Sequence, residues 1–515
     1  MSLLFSNPEF IRNARIQLRS RRLLAGGVIS AVASITTWES VMHADIDFRF
    51  FGLRGAGAVF ALCLGAQICI ALIGGGICCL LSVQREKELN TFDYQRVTRL
   101  TSFELAIGKL FGAPIATYVG VLFLMPVALI AAAKGHIPAL LVLEVYVLML
   151  IGCVTYHAFA LMISVLLGRS GTVLAILFFL AIVLLSAQRN LYIRWRIQSL
   201  SPFYVMDLLN GYAYRMMDRV GFPIWPDGFF DKHVAHWIVF SLIHVSLTTW
   251  FLIAVRRNLK RDPSIYEVYS PLQAFLFSLY LSVLMLGFFP WSTIFVRGTV
   301  QFVDVITAAT PNSIEQSLLE AAVLLFGALG LTLLRSRERA RQRVRELGER
   351  AAGWLAAIWP TPYLVAAVAA LSGAVILLIG KYRDAGSEWN LHLALYEAVF
   401  LCVWLSRDTL YLQWMGVRRG KRTLVAAVLY LTIFYVSLGV LFGSLNLFNQ
   451  PRGAAYTALL LPMPVFGMEP SLWSQAPRLW IGALFFQAAS ALIFAGLQRH
   501  RLQEFLGRPP ARAAG

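Results

Sequence analysis

AGAVFALCLGAQICIALIGGGICCLLSV, residues 56–83, runs directly into QREKELNTFDYQRVTRLTSFELAIGK, residues 84–109. The first part has no Asp, Glu, Lys, Arg or His over 28 residues, enough for a helix to cross about 30 Å of hydrocarbon. The second part is the most mixed-charge stretch in the first half of the chain, with five basic and four acidic residues. An apolar run followed by a charged turn and another apolar run is the mark of a membrane helix leaving and re-entering the bilayer. Lipid offers no hydrogen bonds to an open backbone, so runs of this kind are expected to be helical throughout.

The rest of the chain repeats the pattern. Of 515 residues, 58% are hydrophobic and 14% charged, with a mean hydropathy of +0.67, outside the range of soluble domains. Apolar spans are expected near 23–42, 56–83, 110–133, 137–167, 171–187 and 234–255. Six more follow near 272–290, 317–334, 360–380, 389–405, 423–443 and 479–497. The reading is an all-α integral membrane protein of about twelve transmembrane helices, in two six-helix halves, 1–262 and 263–515.

The net charge of +18 could suggest nucleic acid, but its distribution argues for a membrane. Thirty-one of the 45 Lys and Arg fall in segments on one side of these spans, which identifies that side as cytoplasmic and places both termini there. Anionic lipid head groups reinforce the bias, so the implied partners are membrane lipids, not nucleic acid. The location that follows is a multi-pass protein of the cytoplasmic membrane. The six cysteines lie in apolar spans and read as small buried hydrophobes, with no disulfide framework or zinc site.

Residues 1–22 carry five arginines against one acid, Glu9. Asn7-Pro8-Glu9 combines a capping side chain, proline at the first helical position and an acid at the positive dipole end. Ile11, Ala14 and Leu18 make an apolar stripe, so a helix lying in the cytoplasmic interface is expected. Two outer connections, 188–233 and 444–478, are long and carry proline-flanked aromatic stretches that suit short helices folding back on the membrane.

In the charged segment, Leu89, Phe92, Val97 and Leu100 offer an apolar side to a short surface helix. Glu86, Glu88, Thr91, Phe92, Asp93, Thr98, Thr101, Phe103, Glu104, Gly108 and Lys109 fall in register, without a gap, with a pattern of paired acids, a threonine turn and a Gly-Lys. That series resembles the ABC-2 family of permeases, most clearly over residues 1–262. Asn90 stands where the family has glycine, and asparagine tolerates the left-handed backbone a glycine would supply. Arg99 stands where the family has proline, so the two short helices of the loop are expected to run more continuously here.

The resemblance implies that this loop is a cytoplasmic coupling helix, with Glu86, Glu88, Thr91, Asp93, Thr101, Glu104 and Lys109 engaging a separate ABC ATPase subunit in two copies. ATP and Mg would be held by that partner. The chain itself would be the permease of an ABC exporter, not an enzyme. It shows no phosphate-binding loop: three residues separate Gly416 from Gly420 where such a loop needs four, and no strand precedes them. In the second half, Arg407-Asp408 through Arg422, and the basic stretch 335–350, are possible equivalents of the coupling element.

Ionisable residues within spans point to a substrate path. His157, His244, Glu320 and Glu397 are the candidates, while Glu144 reads as a residue that either lies near a boundary and snorkels or pairs with a neighbouring helix. His233 and His236 with Asp231 read as interfacial polarity, not a metal site, and Gly74-Gly75-Gly76 as an allowance for close helix packing. Two other classes stay open. A lipid-dependent glycosyltransferase would use Asp45 and Asp47 in the first outer loop, and a twelve-span secondary transporter would carry a glycine- and arginine-rich loop after its second span.

Overall fold

The computed structural model describes residues 6–18, 49–50, 53–166, 201–216, 235–260, 268–288, 391–417, 451–460 and 477–506 as continuous stretches, with isolated positions between them. The chain divides into two compact units, Met1–Asp227 with His233–Arg261, and Gly228–Lys232 with Asp262–Gly515.

The first unit opens with α1 (Pro8–Gln17). Asn7 caps it as the residue types require: its Oδ1 accepts from the backbone N–H of Glu9 (2.9 Å) and of Phe10 (3.3 Å), and Pro8 fills the first turn. A two-residue antiparallel pair, β1 (Arg49–Phe50) with β2 (Leu53–Arg54), leads into α2 (Ala56–Ile68). That helix widens into a π-helical turn, Cys69–Gly74, and continues as α3 (Gly75–Glu88). After α4 (Phe92–Val97) come α5 (Ser102–Gly112), α6 (Ile115–Lys134) and α7 (Ala139–Leu166). The unit ends with α8 (Tyr204–Met216) and α9 (His236–Leu259). Helix α2 packs on α6, α3 on α7, and α7 on α9, while α1 lies across α5.

The second unit contributes α10 (Pro271–Phe288), α11 (Leu391–Val417), α12 (Pro451–Thr457) and α13 (Pro477–Leu506), with α11 packed along α13. Helices α8 and α12 lie within the two long connections, 188–233 and 444–478, where short helices were expected.

Among the described residues, five helices are long and apolar enough to cross a membrane: Ala56–Glu88, Ser102–Lys134, Ala139–Leu166, His236–Leu259 and Pro477–Arg501. They coincide with five of the expected spans. The expected spans near 23–42, 171–187, 317–334, 360–380 and 423–443 lie wholly or mostly outside the described residues. Exposed Leu122, Leu129, Leu140, Leu143 and Leu242 lie on three of these helices. Outward-facing leucines suit a lipid surround, which solvates them as well as a protein core does.

The three glycines of residues 74–76 are where helices close up. A Cβ at Gly75 would lie 2.4 Å from His157 Nε2, and one at Gly76 would lie 2.2 Å from the Phe179 ring. Both helix neighbours occupy the space a side chain would need.

Candidate functional site

The charged segment between α3 and α5 is a folded turn held at three points. Helix α3 ends in a Schellman arrangement. The Thr91 N–H donates to Glu86 O (2.9 Å), the Asn90 N–H to Lys87 O (3.4 Å), and Asn90 sits at φ +58°. Asparagine thus occupies the left-handed position as its type allows. The expected continuity through Arg99 is not found. Helix α4 stops at Val97, and α5 restarts at Ser102 behind its own cap. Thr101 Oγ1 accepts from the Glu104 N–H (3.2 Å) and the Glu104 carboxylate accepts from the Thr101 N–H (2.7 Å), a capping box that starts a new helix without a proline. Thr101 and Glu104 therefore spend their polar atoms on each other.

The first anchor is a charge network with α1. Lys109, fully buried at 0%, sends its ammonium to Glu86 Oε2 (2.6 Å) and to Glu9 Oε1 (2.9 Å). Arg12 pairs with the same two acids, at 2.9 Å to Glu9 and directly to Glu86. Burial opposes the charge on Arg12, but Glu9 and Glu86 more than offset it and hold the guanidinium above its ordinary pKa. Asn13 Nδ2 adds bonds to the Glu9 carboxylate (3.0 Å) and backbone (2.9 Å), and Asn7 Nδ2 donates to Glu104 O (2.7 Å).

Two glycines make this approach possible. A Cβ at Gly108 would lie 2.8 Å from Glu9 Cβ, and one at Gly112 would lie 3.0 Å from Asn13 Cβ. The face that α1 buries is therefore Asn7, Glu9 and Phe10 against α5, while Ile11, Ala14 and Leu18 are only half-buried. Glu86 and Lys109 turn inward. The Lys109 side chain is 0% and the Glu86 side chain 11% exposed, so both lie behind the surface on which they were expected.

The second anchor is Lys87, also buried. Its ammonium donates to the backbone oxygens of Ser164 (2.9 Å) and Val165 (2.8 Å) in the last described turn of α7. Gln84 Nε2 donates to the same Ser164 oxygen (3.0 Å). The third anchor is Lys260, just past α9, whose ammonium donates to Thr98 O (3.1 Å). The segment is thereby tied to α1, α7 and α9 at once.

Its outer surface is different. Glu88, Leu89, Asp93, Tyr94, Val97 and Phe103 are exposed, with Val97 at 82% and Tyr94 at 75%, while Phe92 turns inward beneath the Lys87 ammonium. The expected apolar side divides accordingly. Phe92 serves the fold, and Leu89 and Val97 serve the surface.

The candidate path residues have separate surroundings. His157 is fully buried between three helical segments: Nε2 donates to Ala71 O (2.8 Å) in the π-helical turn, and Nδ1 accepts from the Tyr118 hydroxyl (2.9 Å). Both ring nitrogens are committed, so His157 acts as a joint between α6, α7 and the turn. His244 is buried on α9 against the Phe240 ring, 4.1 Å between centroids. Glu397 lies on α11, and Glu320 lies outside the described residues. Glu144 pairs with His236 Nε2 at 2.7 Å, the second of its two expected roles; Asp231, His233, Asp45 and Asp47 lie outside the described residues.

Arg407 and Asp408 face inward too. Arg407 bonds Asp408, Tyr435 and Gln487, and Asp408 bonds Tyr435 as well, all within the second unit, so this pair does not face a docking surface; residues 418–422 lie outside the described residues. The basic stretch 335–350 lies outside the described residues. No group of three or more His, Cys, Asp or Glu is placed to hold a metal ion among the described residues.

With five membrane-length helices and a folded charged turn between two of them, the described residues have the make-up of a multi-pass membrane protein. Comparison with protein-family models, with curated proteins and with solved structures returns no match to this chain.

Proposed function

We infer that this chain is the membrane subunit of an ABC exporter, driven by a separate ATPase that docks on residues 88–103. The observation that carries the reading is the division of labour in that segment. Three anchors, those to α1 and α7 made by buried residues and that to α9 at the surface, hold it in place, while its exposed residues mix acids with apolar side chains. A solvated loop needs neither the anchors nor the apolar face. A segment that receives force from a soluble partner needs both, because a push is transmitted only through a stiff attachment. The resemblance to the ABC-2 coupling loop points the same way.

In this reading Glu88 and Asp93, together with Leu89, Tyr94, Val97 and Phe103, meet the ATPase. Glu86, Thr101, Glu104 and Lys109 position the segment, and Thr91 closes the turn. ATP and Mg belong to the partner, present in two copies, and this chain is not itself an enzyme. It sits in the cytoplasmic membrane with both ends inside.

The test is charge reversal on the outer face. E88K/D93K should leave the chain inserted and folded, since exposed charges contribute about 0–1 kcal/mol per pair. It should lose the co-purifying ATPase, because complementary charge sets encounter and register. Unchanged recovery of the ATPase would overturn the reading.

A further inference from the structure

The second unit carries a charged cluster whose depth is set by α13. Arg407 Nη1 donates to Gln487 Oε1, and Gln487 lies ten residues after Pro477 and fourteen before Arg501 in a membrane-length apolar helix. At 1.5 Å per residue that is about 15 Å and about 21 Å from the two ends, the middle of a bilayer. Tyr396 donates to Trp480 O (2.7 Å) and Gln498 donates to Gln413 Oε1 (3.1 Å), so α11 and α13 run parallel and the level is consistent along both. Arg407 was expected beyond the end of its span; its bond to Gln487 sets it level with the middle of α13 instead.

The bonding around the guanidinium is lopsided. Asp408 holds it by one oxygen only: Oδ1 accepts from Nε (2.8 Å) and Nη2 (2.6 Å), while Oδ2 accepts from the Tyr435 hydroxyl. The end of the fork, Nη1 with Nη2, faces two neutral oxygens, those of Gln487 and Tyr435. Trp404 Nε1 also donates to the Tyr435 hydroxyl (2.9 Å). A carboxylate or phosphate is a far better acceptor for that end than an amide or a phenol, because both partners are then charged and the planar fork matches two oxygens. The pair is also not sealed, with 10% of the Arg407 side chain and 16% of the Asp408 side chain accessible. Around it, Trp404, Phe434 and Tyr435 give aromatic walls suited to an apolar body.

We propose that Arg407 is a binding site, at mid-membrane depth, for the anionic group of an amphiphile, a carboxylate or phosphate carried on a hydrocarbon body, with Asp408 as the resident counter-charge that the ligand replaces. A permanent cation at this depth needs an anion, and its own neighbour supplies one when the site is vacant. The inference uses the membrane-length character of α13 and not the coupling segment, so it stands or falls apart from the transporter reading.

Dodecyl phosphate, inorganic phosphate and dodecyl maltoside are the probes, titrated against the purified full chain with binding followed by thermal shift. Wild type should bind dodecyl phosphate saturably and neither of the others. The charge-balanced variant R407Q/D408N, which leaves no lone charge in the membrane, should fold and fail to bind. D408N, with the counter-charge gone, should bind at least about tenfold tighter, since tenfold corresponds to a modest gain in a single charged contact. Binding by R407Q/D408N equal to wild type would overturn the proposal. Equal affinity for inorganic phosphate would overturn the amphiphile assignment, and indifference to dodecyl phosphate in both wild type and D408N would overturn the site altogether.

Discussion

Replacing Lys109 by methionine keeps the length of the side chain and removes its charge from the centre of the α1–α5 contact. Lys109 is 0% exposed, and it bonds Glu9 and Glu86 at 2.9 and 2.6 Å, with those side chains 4% and 11% exposed. Deleting one partner of a buried ion pair leaves its counterpart uncompensated and costs about 3–5 kcal/mol. Arg12 still bonds both acids, but it is 43% exposed, so it recovers part of the loss and leaves the cost near the low end, about 3 kcal/mol. At about 2–4 °C per kcal/mol for a unit of this size, the unfolding midpoint should fall by about 6–12 °C. Intrinsic fluorescence during heating of the purified chain reads this directly. E86Q measured in parallel should fall less, because Lys109 keeps Glu9. The double variant E86Q/K109M should show a coupling of about 0.5–3 kcal/mol between the two sites. A K109M midpoint equal to wild type would refute the buried network, and with it the claim that α1 fastens the segment.

Other changes probe the same joint. G108A should loosen α1 by about 1–3 kcal/mol, because the new methyl meets Glu9 at 2.8 Å, and faster protease cleavage at α1 would register it. N90G should leave stability unchanged, whereas N90A should cost about 1 kcal/mol for a left-handed residue without glycine's freedom, as thermal melts can show. K87M should raise hydrogen exchange in the last turn of α7, since hydrogen bonds to a charged donor contribute about 1.5–3 kcal/mol each. Thiols introduced at Thr98 and Lys260 should react only with cytoplasmic reagents, because the two residues are bonded to one another.

The membrane class was plain in the sequence, because twenty apolar residues in a row leave a helix little else to do. So was the local chemistry of the chain ends of helices: Asn7 as a cap and Asn90 as a left-handed residue both behave as their types require. The direction in which charges face was not legible. Glu86 and Glu88 look alike in a list of acids, yet helical phase turns one into the bundle and the other to water. The partners that decide this are Lys109 and Arg12, and Arg12 lies 74 residues earlier in the chain. A usable signal existed in Gly108 and Gly112, four apart on one face beside Lys109, which marks a close helix contact rather than a docking face. The Thr101–Glu104 spacing likewise marked a capping box, and so a break, where continuity was expected. Arg407 misled for a different reason. Counting apolar residues ended its helix at the first charge, whereas α11 continues to Val417 and the pairing with Gln487 sets the charge level with the middle of α13.

The most direct test of the account is site-specific photo-crosslinking in native membranes from Val97 and Tyr94, with Leu122 on the exposed flank of α6 as the control. The account predicts that an ATP-binding subunit, identified by its own phosphate-loop peptides, is captured from Val97 and Tyr94 and not from Leu122. Capture of no ATPase from either loop position, or ATP hydrolysis by the purified chain alone, would contradict it.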